Sequence, residues 1–66
     1  MQITINGDLQ EIDDGVSIAE LILILKLDSR ALAVEVNHEL KPRELHQTTK
    51  IKDGDVLEIV TLVVGG

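Results

Sequence analysis

Apolar and polar residues alternate at the start of the chain, which predicts a half-buried β-strand. Met1, Ile3 and Ile5 form the apolar series, and a period of two places their side chains on one face of a strand. The dipeptide Asn6-Gly7 follows, and both residue types tolerate the positive φ angles of a type I′ hairpin turn. We therefore expect a second strand at about residues 9–12, either short or bulged, because its apolar residues are three positions apart.

The apolar spacing changes to that of a helix after the loop Asp13-Asp14-Gly15. Ser17 is a favourable N-cap, and Glu20 three residues later completes a capping box. Val16 and Leu21 have the spacing of a hydrophobic staple around this cap. Four apolar residues then share one helical face: Ile18, Leu21, Ile22 and Leu25. The pattern predicts a helix over residues 18–27, with Lys26 near its negative pole.

The second half of the chain predicts two more strands. Leu32, Val34 and Val36 alternate with less apolar residues and form the third strand. Residues 37–39 are typical of a turn, and residues 42–52 are irregular, with one helical turn near residues 44–47. A turn at Asp53-Gly54 then precedes a last strand over about residues 56–62.

This order of elements is typical of an α+β protein. One main helix would pack on one face of a mixed sheet of four to five strands, and a hairpin followed by a helix and further strands favours a β-grasp. The 66 residues are enough for one domain. We expect a body over residues 1–62 and a flexible tail over residues 63–66.

Composition narrows the possible classes of function. The chain has no cysteine, which excludes disulfides, thiolate zinc sites and a cysteine nucleophile and favours a cytoplasmic setting. It has no Phe, Trp or Tyr, so the core must consist of Ile, Leu, Val and Ala. A net charge of −6 repels nucleic acid and attracts a basic partner. The longest apolar run, residues 21–25, is far shorter than the roughly 20 residues that span a bilayer.

Few side chains are candidates for chemistry. His38 and His46 have Glu39 and Glu44 nearby, and imidazole and carboxylate groups can both bind metal. Because no metal-site spacing is present, we interpret both histidines as solvent-exposed loop residues. Asp13-Asp14 is interpreted as an acidic loop that the helix dipole favours. We therefore expect no catalytic residue and no bound metal.

The end of the sequence, Val64-Gly65-Gly66, is a stronger candidate. A glycine carboxylate is the least hindered that a protein can present, and glycines lack Cβ, so the backbone can enter a narrow channel. We expect such a terminus to be activated by another enzyme as an acyl adenylate or thioester. A frayed end without a function is the alternative.

Segments along the whole chain resemble the sulfur carrier proteins of thiamine biosynthesis, the ThiS family. The segments are Ile3-Thr4-Ile5-Asn6-Gly7, Ser17-Ile18-Ala19-Glu20-Leu21, Ala33-Val34-Glu35-Val36-Asn37-His38-Glu39, Pro42-Arg43, Asp53-Gly54-Asp55-Val56-Leu57-Glu58-Ile59-Val60 and Gly65-Gly66. Two positions differ from the family. It commonly has glycine where His38 stands and a small residue where Val64 stands, so this tail is bulkier.

The resemblance implies a ubiquitin-like β-grasp whose first and last strands are parallel at the centre of the sheet. It also implies that an ATP-using, E1-like adenylyltransferase adenylates the Gly66 carboxylate. Sulfur from a persulfide donor would convert this group to a thiocarboxylate, and thiazole synthase would receive the sulfur. The chain itself would be a carrier and not an enzyme, with Gly65 and Gly66 as its sulfur-carrying end.

The last strand also predicts where partners dock. Glu58 should point away from the helix, because carboxylates are rarely buried. Alternation then places Val56, Val60 and Leu62 on the same outer face, and Ala33 should also point outward. We expect Val60, Leu62 and Val64 to contact the partner, since they lie beside the tail.

Three other functions fit these residues. The small subunit of molybdopterin synthase has a similar fold and the same terminal chemistry, but the short length and the lack of aromatic residues disfavour it. A ubiquitin-like modifier would be joined to lysines through Gly66. A plain binding module would never be activated at its C-terminus.

Overall fold

The computed structural model describes residues 1–61, apart from the side chain of Ser29. The strands are β1 (Gln2–Ile5), β2 (Asp8–Glu11), β3 (Leu32–Val36), β4 (Glu39–Lys41) and β5 (Val56–Thr61), and the helix is α1 (Ile18–Ile24). Two short 3-10 turns lie at Ser29–Ala31 and Arg43–Leu45. Leu62 and the predicted tail lie outside the described residues.

The described residues form one five-stranded mixed sheet with the order β2-β1-β5-β3-β4. β1 and β5 are parallel, and the other neighbouring pairs are antiparallel. This arrangement confirms the α+β class, the number of strands, and the parallel pairing of the first and last strands.

The core lies between α1 and one face of the sheet. Its fully or nearly fully buried side chains are all aliphatic, as the composition requires: Ile3, Ile5, Val16, Ile18, Leu21, Ile22, Val34, Val36, Ile51, Leu57 and Ile59. The predicted capping box is confirmed, because the Glu20 N–H donates to Ser17 Oγ and the Ser17 N–H donates to Glu20 Oε1. The cap starts α1 at the residue where its apolar face begins.

The predicted helix end at residue 27 is wrong, because α1 ends at Ile24 with Leu25 as its C-cap. Lys26 adopts a left-handed conformation with φ of 58°. Its N–H donates to the Leu23 carbonyl, and the Leu27 N–H donates to the Ile22 carbonyl. These two bonds form a Schellman motif, which ends the helix three residues before the predicted position.

Three other boundaries also differ. β2 begins at Asp8 and ends at Glu11 with continuous pairing to β1, so it contains no bulge and excludes Ile12. Glu39, predicted as part of a turn, begins β4, a strand that the sequence pattern did not predict. The helical turn near residues 44–47 begins one residue earlier, at Arg43.

Candidate functional site

β5 carries the chain from the middle of the sheet toward Gly66. Leu57 and Ile59 point into the core, while Val56, Glu58 and Val60 are exposed on the opposite face. Val60 is 55% exposed and Val56 41%, so the predicted alternation along this strand is confirmed. Of the predicted docking residues, the structure describes Val60; Leu62 and Val64 lie outside the described residues, as do Gly65 and Gly66.

The outer face next to Val60 combines apolar and acidic groups. Ala33 on β3 lies opposite Val60, and Glu35 lies opposite Glu58. Directly opposed like charges destabilise a sheet. Here, however, they also concentrate negative potential beside an exposed valine. A partner with a basic and apolar surface would complement this face.

Two asparagine side chains bind the backbone of β5. Asn6 Oδ1 accepts a hydrogen bond from the Ile59 N–H at 2.9 Å, and Asn6 Nδ2 donates to the Ile59 carbonyl at 3.0 Å. Near the other end of the strand, Asn37 Oδ1 accepts from the Val56 N–H at 3.0 Å. Sequence reasoning interpreted both residues only as turn formers; the signal available was that asparagine stands first in each turn.

The interpretation of His46 as solvent-exposed is wrong. The whole residue is only 5% exposed, and the Nε2 atom of its ring lies 2.8 Å from the Lys41 carbonyl oxygen. Because a carbonyl can only accept, Nε2 carries a proton and donates to it. The backbone N–H of Ala19 also donates to the His46 carbonyl, so this histidine joins the end of β4 to the start of α1. His38 is exposed, as predicted.

Other candidate groups form no reactive constellation among the described residues. Asp13 and Asp14 are exposed, and within residues 1–61 no three His, Cys, Asp or Glu side chains are placed to hold a metal ion. No helix in this part of the chain is long and apolar enough to cross a membrane.

One exposed ion pair perturbs titration in the described chain. Hydrogen bonds from the Arg30 side chain and backbone lower the pKa of Asp28, and the same side-chain bond raises the pKa of Arg30. Arg30 Nη2 and Asp28 Oδ2 are 3.1 Å apart. Both groups lie on the connection between α1 and β3, and this pair belongs to that turn.

Comparison with known proteins identifies similar chains and folds. Residues 3–66 match the model of the ThiS family. The structure is similar to the crystal structure of a thiamine biosynthesis protein (ThiS) from Geobacter metallireducens, with a TM-score of 0.87, 33% identity and full coverage of both chains. It is also similar to a solution structure of a thiamine biosynthesis protein from that organism, with a TM-score of 0.83 and 33% identity, covering all of this chain and 88% of that one.

Two curated relatives differ greatly in length. The chain is 36% identical over 66 residues to a thiazole synthase of Paramagnetospirillum magneticum, but it spans only 20% of that protein. It is also 36% identical to the uncharacterized protein ycf40 of Porphyra purpurea, of which it spans 93%. A stretch similar to this chain therefore occurs both as most of a small protein and as a minor part of a longer one.

Proposed function

This chain belongs to the ThiS family, and on that basis we propose that it is a sulfur carrier for the thiazole ring of thiamine. The observation that carries the proposal is the family match over residues 3–66, which includes both Gly65 and Gly66. In this proposal Gly66 is the C-terminal residue of the functional protein. Its carboxylate carries the sulfur, and the folded domain presents that group to other enzymes.

The first proposed step activates the Gly66 carboxylate, which is a poor electrophile. A carboxylate oxygen attacks the α-phosphorus of ATP on an E1-like adenylyltransferase, and pyrophosphate leaves. The product is a mixed anhydride between Gly66 and AMP. ATP is consumed by the partner enzyme, and the carrier contributes the acyl group.

The second proposed step installs sulfur. The terminal sulfur of a persulfide attacks the Gly66 acyl carbon, and AMP leaves with the electron pair of the broken C–O bond. A thiol then reduces the remaining sulfur–sulfur bond and frees the thiocarboxylate. Thiazole synthase is the proposed acceptor of this sulfur. The similarity to a protein of that name supports this choice of partner.

The third part of the proposal concerns how partner enzymes bind the carrier. Val60 is exposed on β5, and Leu62 and Val64 follow it toward Gly66. Contact with these apolar residues would aim the end of the chain into an active site. The opposed pair Glu35 and Glu58, together with the net charge of −6, would steer a basic partner surface toward this face.

Intact mass spectrometry tests the proposal. Protein from the native host, or protein incubated with an E1-like adenylyltransferase, ATP and a persulfide donor, should gain the mass difference between sulfur and oxygen at its C-terminus. Adducts joined to lysines would indicate a ubiquitin-like modifier. Copurification with a large molybdopterin synthase subunit, in place of thiazole synthase, would favour that alternative pathway. A terminus that is never adenylated would contradict the carrier function.

Length variants at Gly66 provide the matched control. Deleting Gly66, or adding one residue after it, shifts the terminal carboxylate by about 3.3–3.6 Å along an extended chain. Because misplacement by about 1 Å can cost roughly 10²-fold in a positioned reaction, we expect thiocarboxylation to fall at least that much. Thermal unfolding should not change. A normal rate in either variant would show that Gly66 is not the reacting end.

A further inference from the structure

Asn6 binds β5 beyond the point where β1 stops. The paired register of β1 and β5 reaches Ile5 opposite Leu57, and the Asn6 N–H donates to the Leu57 carbonyl at 2.9 Å. The chain then reverses at Asn6 and Gly7, both with positive φ, so β1 cannot continue beside Ile59. The N–H and carbonyl groups of Ile59 nevertheless face the β1 side of β5, as the carbonyl groups of Asp55 and Leu57 do.

The Asn6 side chain takes the place of the missing strand residue. A carboxamide offers one acceptor and donors in a planar group, as a peptide unit does. Its oxygen accepts from the Ile59 N–H at 2.9 Å, and its nitrogen donates to the Ile59 carbonyl at 3.0 Å. The paired bonds extend the hydrogen bonding of the β1–β5 interface by one further step.

The segment held in this way is the part of β5 nearest the tail. Ile59 immediately precedes the exposed docking residue Val60, and Thr61 ends the strand. On the other flank, residues 59–61 pair with residues 32–34 of β3. Among residues 1–61, the hydrogen bonds to the Ile59 backbone on the β1 side come from Asn6.

We infer that Asn6 is a positioning residue, which keeps residues 59–61 ordered for docking to the adenylating partner. This inference rests on the proposed function. A segment that is already ordered avoids the entropy cost of ordering upon binding. Loss of the side chain should therefore weaken recognition of the carrier and leave the chemistry at Gly66 nearly unchanged, because the partner positions that end.

Asn37 offers a matched control at the opposite end of the same strand. It also begins a turn with positive φ (52°, against 50° for Asn6). Its side chain accepts from the Val56 N–H and donates to Asp55 Oδ1, both at 3.0 Å. It binds β5 four residues before Val60, and these two side-chain hydrogen bonds do not reach residues 59–61.

The experiment compares Asn6→Gly with Asn37→Gly. Glycine tolerates positive φ, so each variant loses the side-chain bonds without backbone strain. At a temperature where all proteins are folded, amide exchange at Ile59 should accelerate about tenfold in Asn6→Gly and remain unchanged in Asn37→Gly. In the adenylation assay, Asn6→Gly should raise KM for the carrier about five- to tenfold with nearly constant kcat, in the range expected when hydrogen bonds are lost. Asn37→Gly should leave KM unchanged.

Several results would overturn the inference. Unchanged exchange at Ile59 in Asn6→Gly would mean that the side chain does not hold β5 in solution. Faster exchange with an unchanged KM would make the role purely structural, and an equal rise in KM for Asn37→Gly would indicate general destabilisation. Wild-type protein that is not adenylated would overturn both proposals. Amide exchange at Ile59 is measured without any partner. Faster exchange in Asn6→Gly would therefore still show that the Asn6 contact exists, even if the carrier function fails.

Discussion

At the scale of single residues, the two histidines show how position decides the role of a side chain. His38 is exposed in a turn, whereas His46 is almost fully buried and donates to the Lys41 carbonyl. The His46 ring also lines a groove of about 300 Å³ beside α1. A buried hydrogen bond of this kind is costly to break, because a buried polar group that loses a partner is not compensated by water.

We predict that His46→Ala destabilises the fold, since it removes the side-chain hydrogen bond to the Lys41 carbonyl and empties a buried position. The expected loss in free energy of unfolding is about 1–3 kcal/mol. His46→Gln should retain most of the stability, because the glutamine amide can donate in place of Nε2. Gln47→Ala is the neighbouring control, as Gln47 is exposed. Urea unfolding of the three variants checks this, and equal stability of His46→Ala and Gln47→Ala would contradict it.

Sequence could predict Val60 at the candidate site but not the environment of His46 or the role of Asn6. Val60 belongs to a strand of period two, so Glu58 alone fixes its direction. His46 lies in a segment without hydrophobic period, where the direction of a side chain depends on the 3-10 turn at Arg43–Leu45. The Asn6 contact joins residues 53 positions apart, which no local pattern records.

At the scale of elements, the two hairpins use turns of the same shape with different residues. Asn6 and Gly7 have φ angles of 50° and 86°, and Asn37 and His38 have 52° and 68°. Glycine adopts such angles without steric cost, while a residue with Cβ is disfavoured there. The β3–β4 turn therefore holds a histidine at a position whose counterpart in the β1–β2 turn is glycine.

We predict that His38→Gly stabilises the protein. Glycine relieves the left-handed strain but also has more backbone entropy in the unfolded state. We expect a net gain of about 0.5 kcal/mol in the free energy of unfolding, which raises Tm by roughly 2–4 °C for a domain of this size. Gly7→Ala is the reciprocal test. Among residues 1–61, no atom lies within 4 Å of a Cβ placed at Gly7. The expected loss of about 1 kcal/mol in stability would therefore come from the positive φ. Calorimetry measures both, and a lower Tm for His38→Gly would refute the strain argument.

Elements with a local sequence pattern of their own could be predicted, whereas elements that depend on contacts with other parts of the chain could not. β1, β3 and β5 follow period two, and the capping box locates the start of α1 at Ser17. β4 has three residues and exists through its pairing with β3, so its sequence alone shows no strand pattern. The end of α1 was missed because Lys26 occupies the left-handed position where glycine is the usual signal.

At the scale of the whole molecule, strand order explains how β5 can serve both the core and an exposed face. The order β2-β1-β5-β3-β4 places the last strand in the centre, with its inner side chains under α1 and its outer ones open. Only one face of β5 contributes to the core, through Leu57 and Ile59, so the residues of its other face can differ in chemistry. That outer face carries Val60 beside the Glu35–Glu58 pair.

We predict that Val60→Asp weakens binding to the adenylating enzyme and to the sulfur acceptor with little loss of folding stability. Val60 is 55% exposed, so its replacement leaves the core intact, and exposed substitutions usually change stability by within about 0.5 kcal/mol. An aspartate beside Glu58 would remove apolar contact area and add a charge that must be desolvated upon docking. At a central contact residue, such a change raises Kd by roughly 30-fold.

Val56→Asp is the matched control, because Val56 lies on the same face at the start of β5, farther from the tail. It should unfold at a similar temperature and bind nearly as the wild type does. Calorimetry and titration with each partner measure the two quantities. Unchanged affinity in Val60→Asp would remove Val60 from the docking surface, and an equal loss in Val56→Asp would show that charge on the face, rather than contact next to the tail, governs recognition.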